Sequence, residues 1–186
     1  IDCVNWKDYP YRPEVKFRIA HTGDAILLNY RVKEESVRAV AAEDNGRVWE
    51  DSCCEFFFQL PEDQEENIYY NFECNCGGTL LIGGGRPGDR PHAPVEITRK
   101  VDRWTSLDKA PFEERMGECS WQLALCIPKE AFFRHQLKGF KGMTAHANFY
   151  KCGGLQHTPH FLSWNKIDLP KPCFHCPEFF GKVCFD

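Results

Sequence analysis

Apolar residues in this chain recur at every second position, in short runs broken by Gly, Pro, Asn and Asp. That period belongs to β-strands, whose successive side chains point to opposite faces; a helix would repeat every 3.6 residues. The pattern predicts strands near Ala25–Val32, Cys53–Leu60, Ile68–Cys76, Thr79–Ile82, Val95–Val101, Ser120–Ile127, Met143–Tyr150, His160–Trp164 and Phe179–Phe185. One stretch reads as helical: Pro128 suits a first turn, Lys129–Leu137 follows, and Gly139 stops it. Short strands with one short helix predict an all-β, antiparallel sandwich with jelly-roll-like or immunoglobulin-like layering. The loops are expected at Gly83–Pro94, too rich in Gly and Pro for a ladder, and at Lys151–Pro159.

The 186 residues fit one domain, residues 1–186, with no composition break or internal repeat. A net charge of −4 with no basic block argues against a nucleic-acid partner. No apolar run reaches the ~20 residues of a membrane-spanning helix, and Ile1-Asp2-Cys3 opens no export signal. The 11 cysteines sit mostly in apolar stretches and are expected as free thiols, pointing to a reducing compartment. A monomer is expected.

Strand parity separates the side chains. Cys54, Phe56, Phe58 and Leu60 share an apolar face opposite Glu55 and Gln59. Tyr70, Phe72, Cys74 and Cys76 lie opposite Tyr69, Asn71, Glu73 and Asn75. Met143, Ala145, Ala147 and Phe149 leave Thr144, His146, Asn148 and Tyr150 on the other side. Three strands thus each carry a polar face, which suits either a solvated sheet or the lining of a sugar site. Trp49 and Trp164 both fall at strand–loop junctions, where a flat ring can meet the C–H face of a sugar.

Val48-Trp49-Glu50-Asp51-Ser52-Cys53-Cys54-Glu55-Phe56-Phe57 resembles the Trp-Glu-x-Asp-Ser-x-Glu-hydrophobic signature of family 9 carbohydrate-binding modules. Trp121–Phe132, Phe161–Trp164 and Pro170–Phe185 are similar to that family's closing strands and tail. The resemblance implies non-catalytic binding of a terminal sugar of a polysaccharide or oligosaccharide, in support of polysaccharide breakdown. It implies two stacking rings, Trp49 and Trp164, with Glu55, Asn71 and Asn148 holding hydroxyls. Asn71 stands where better-known members have an arginine, and Arg86 or Arg90 of the Gly-rich loop is the candidate replacement. The family also implies export, against the cysteine reading, and structural calcium on acidic loops, for which Asp44-Asn45 and Glu62–Glu66 are candidates.

Three alternatives stand beside this reading. A glycosidase would draw on Asp51, Glu55 and Glu73, but Asp51 and Glu55 would lie about 13 Å apart along a strand, beyond the roughly 5–9.5 Å of either glycosidase mechanism. Cys173-Phe174-His175-Cys176 has metal-site spacing and would need Cys74, Cys76 or His160 to complete a zinc shell. The His and Met present also supply residue types for a haem b axial pair, which some relatives of this sandwich hold.

Overall fold

A computed structural model describes all residues, Ile1–Asp186. In chain order the strands are β1 (Cys3–Val4), β2 (Glu14–His21), β3 (Ala25–Ala39), β4 (Cys53–Gln59), β5 (Tyr69–Asn75) and β6 (Leu80–Gly85). A one-turn helix α1 (Val95–Thr98) follows, then β7 (Asp102–Thr105), β8 (Phe112–Pro128), β9 (Thr144–Gly153), β10 (His160–Ser163) and β11 (Gly181–Cys184). They form two antiparallel sheets. The larger runs β1-β10-β9-β4-β5-β6, and the smaller β2-β3-β8-β7. The far edge of β9 is shared, β10 pairing with its second half and β11 with its first.

The inward parity set packs as expected. Cys54, Phe56 and Phe58 join Tyr70, Phe72, Ala145, Ala147 and Phe149 in the core between the sheets, against Ile26, Leu28, Tyr30 and Leu123 from the smaller sheet. The opposite face of the larger sheet is not wet. All seven residues of β4 and all seven of β5 are buried, because the chain after Leu169 folds back over that face. A second core forms there from Trp6, Phe57, Tyr69, Tyr150, Ile167, Cys176 and Phe180.

A buried ion pair ties the sheets together at one end. Lys151 Nζ of β9 lies 2.8 Å from Glu34 Oε2 of β3, with both side chains fully buried. Trp121 Nε1 donates to Glu34 (2.6 Å), and Lys151 Nζ lies 2.7 Å from His160 Nε2. Burial opposes the charge on Lys151, yet the adjacent Glu34 carboxylate raises its pKa above the usual lysine value. Burial, then Lys151, pushes His160 down to about 2, so its ring stays neutral.

Several local expectations are corrected. Lys129–Leu137 makes only a 3-10 turn, Lys129–Ala131, since Phe132 turns into the core against Phe58, Tyr70 and Phe72. Val95–Val101 is not a strand. Pro94 sets up one helical turn there, closed by Thr98 Oγ1 donating to Val95 O (2.9 Å) and bonding Asp44 (2.6 Å). Gly83, Gly84 and Gly85 do enter the ladder, opposite Asn71, Tyr70 and Tyr69. A Cβ on Gly84 would stand 3.0 Å from the Tyr70 ring, so absent side chains let β6 lie flat beside bulky neighbours. Lys151–Gly153 likewise extends β9, and β3 runs on from Val32 to Ala39. No helix is long and apolar enough to cross a membrane, and all eleven cysteines are unpaired.

Candidate functional site

The tail leaves part of the larger sheet's outer face uncovered, as a groove of about 430 Å³, within the usual range for small-ligand sites. Its floor is β-sheet. Glu55 of β4 stands directly opposite Glu73 of β5 on one side and Tyr150 of β9 on the other. Asn71, Leu81, Gly83, Cys152 and Phe161 complete the floor. Three segments supply the walls: Trp49 from the turn before β4, Arg90 and His92 from the Gly-rich loop, and Phe174 with His175 from the tail.

The Trp49 turn is held by its own sequence. Asp51 accepts from Val40 N (3.0 Å), Ala41 N (2.9 Å), Asn75 Nδ2 (2.9 Å) and Arg38 Nη1 (2.5 Å), while Ser52 Oγ accepts from Arg38 N (3.1 Å). This fastening leaves Trp49 41% exposed at the groove rim. The tail wall is fastened by aromatic contact. Phe174 stacks on Tyr150 with centroids 4.1 Å apart and planes 8° from parallel, Tyr150 Oη donates to Phe174 O (3.2 Å), and Tyr69 Oη lies 2.9 Å from His175 Nδ1.

The floor is acidic and buried. Glu55 is 2% and Glu73 4% exposed. Burial, then the Asn71 hydrogen bond (Nδ2 to Glu73 Oε1, 2.9 Å) and the Arg90 charge acting against it, leaves Glu73 raised to about 7. Burial, then its neighbours Cys152 and Glu73, raises Glu55 well above the carboxylate range. The cation of the groove is Arg90, which donates to Asn71 Oδ1, Gly85 O and Tyr69 O and lies 3.6 Å over the Tyr69 ring. Gly83 makes room for this contact, since a Cβ there would stand 2.5 Å from Asn71 Oδ1.

Of the residues singled out from the sequence, Trp49, Glu55, Asn71 and Arg90 meet in the groove. Trp164 does not join them. It closes the open edge of the sandwich, edge-on to Phe17 and Phe149 at 6.0 and 5.5 Å. Asn148 is fully buried and bonds the backbone of Asn165 and Phe149. Arg86 pairs with Glu66 on the surface. Asp51 lies outside the groove, its carboxylate fully engaged. Phe174, His175 and His92 carried no sequence signal for this role, apart from Phe174-His175 lying inside the Cys-x-x-Cys spacing. That spacing gathers no further ligands: three metal-binding side chains converge only at Cys53, Glu55 and Cys152. At the candidate calcium loops the carboxylates are engaged with side chains. Both Asp44 oxygens face the Arg103 guanidinium at 2.7 and 2.8 Å, and Asp63 and Glu66 turn to different partners, His135 and Arg86.

Comparison with known proteins agrees with this architecture. The model of carbohydrate-binding family 9 matches residues 1–185. A crystal structure of a protein from Bacteroides uniformis superposes with a TM-score of 0.96 at 60% identity, covering 100% of this chain and 84% of that one. A family 9 module from Caldicellulosiruptor kristjanssonii in complex with glucose gives a TM-score of 0.57 at 12% identity, covering 95% and 78%. The same organism's module with cellotriose gives 0.54 at 12% identity, covering 94% and 76%. No curated protein matches the chain.

Proposed function

The chain belongs to carbohydrate-binding family 9, and from that premise we propose that its groove holds the terminal sugar of an oligosaccharide or polysaccharide without cleaving it. The observation that carries this is the union of an exposed Trp49 ring and the Phe174 ring with Glu55, Glu73, Asn71 and Arg90 in one groove. A pyranose offers an apolar face and a rim of hydroxyls. Rings match the face, and carboxyl, amide and guanidinium groups match the rim. Arg90, held through Asn71, takes the position of the cationic donor in this site.

The carboxyl groups support binding rather than hydrolysis. Asp51 is spent on fastening a turn, and Glu55 and Glu73 are neighbours on the same sheet floor, not groups on opposite sides of a bond. Calorimetric titration with glucose, cellotriose and other oligosaccharides, alongside a reducing-sugar assay, tests the reading. Binding without sugar release is expected. Trp49→Ala should abolish it, and Glu55→Leu should weaken it about tenfold to a hundredfold, the effect of leaving a hydroxyl unpaired. Wild-type affinity in both variants, or release of reducing sugar, would overturn it.

A further inference from the structure

Beneath the groove lies a cluster of which the proposed sugar binding uses only Glu55. Cys53 of β4 and Cys152 of β9 are directly opposite in register, and Glu55 is two residues along β4 on the same face. One sulfur from each cysteine and one Glu55 oxygen lie within 4.8 Å of one another, all three residues buried. Tetrahedral zinc, with Zn–S about 2.3 Å and Zn–O about 2.0–2.2 Å, would set ligand atoms roughly 3.5–3.8 Å apart, so the side chains need only small adjustments. We infer that Cys53, Glu55 and Cys152 form a binding site for a thiophilic divalent cation of the zinc class, with its fourth position open to the groove.

Three observations support the assignment. First, the ligand types are selective: two thiolates and a carboxylate suit zinc and disfavour calcium or magnesium, which take oxygen. Second, the three acids share a buried space without a cation of their own. Arg90 is committed to Asn71 and backbone carbonyls, and Lys151 lies on the opposite face of the sheet, paired with Glu34. Within the cluster Cys152 Sγ donates to Glu55 Oε1 at 3.0 Å. A divalent ion would supply the counter-charge that the cluster lacks. Third, Glu55 and Cys152 reach the groove while Cys53 lies below it. Three protein ligands with an open fourth place is the arrangement that admits water or a ligand oxygen.

The test uses the full chain, reduced and stripped of metal with a chelator, titrated with Co²⁺ and then Zn²⁺, with no sugar present. One equivalent of Co²⁺ is expected, with a cobalt–thiolate charge-transfer band that Zn²⁺ abolishes. Cys53→Ser and Cys152→Ser should each lose it, and Cys173→Ser should keep it. X-ray absorption of the zinc-loaded wild-type chain should count two sulfur ligands alongside lighter atoms, a measurement that stands even if a variant fails to fold. No band in the reduced wild type, a band that survives loss of both cysteines, or a sulfur count of none or four would overturn the site.

Discussion

Glu73 illustrates how one side chain couples the groove to stability. Its pKa of about 7 lies above the ordinary 4.5, so the folded chain holds a proton that the unfolded chain releases earlier. The stability this confers is complete below about 4.5 and is lost as pH rises through about 7. Glu73→Gln cannot ionise and keeps a carbonyl to accept from Asn71. Its urea midpoint should therefore match or fall below wild type at pH 4 and exceed it at pH 8, the gap changing by on the order of 3 kcal/mol; parallel curves would remove Glu73 as the cause. At this scale parity had put Glu55, Asn71 and Glu73 on the groove face, because alternation is a property of the strand alone. The two tryptophans could not be told apart that way. Trp49 and Trp164 both end a strand or lead into one, and only the packing of β2 and Phe17 against Trp164 takes it to the sandwich edge.

The elements that were legible are those whose hydrophobic period matches one buried face. β4, β5 and β9 were placed closely. The glycines of β6 were not, since a ladder accepts them for reasons set by Tyr70 across the strand. The tail was the larger omission. Its role depends on Phe174 meeting Tyr150 and on Tyr69 meeting His175, contacts between residues 24 and 106 positions apart that no local pattern encodes. Phe174→Ala tests the tail as an element. The ring is only half-buried, so the variant should remain folded by circular dichroism and lose about 1–2 kcal/mol of stability, less than a fully buried Phe. Its sugar affinity should fall at least about tenfold. Unchanged affinity would mean that the tail merely covers the sheet.

Across the whole molecule, the Lys151–Glu34 pair is the one place where full charges cross between the sheets in the buried interior. Lys151→Met should cost about 3–5 kcal/mol in guanidinium unfolding, because it strands a buried carboxylate. Adding Glu34→Gln should recover most of that, since the amide oxygen still accepts from Trp121 and no charge is left unpaired. A double variant as unstable as the single one would show that packing, not charge, sets the cost. The pair also acts as a proofreading device for strand alignment. A slip of β9 by one residue would exchange its faces, turning Lys151 into the groove and driving Tyr150 and Cys152 into the sandwich. The slip would also turn Phe149 out of the core, and the stranded Glu34 carboxylate would add the cost of an unpaired buried charge. The alignment that lets these two charges meet is the same one that sets Cys152 beside Glu55, so the interior checks the address of the groove.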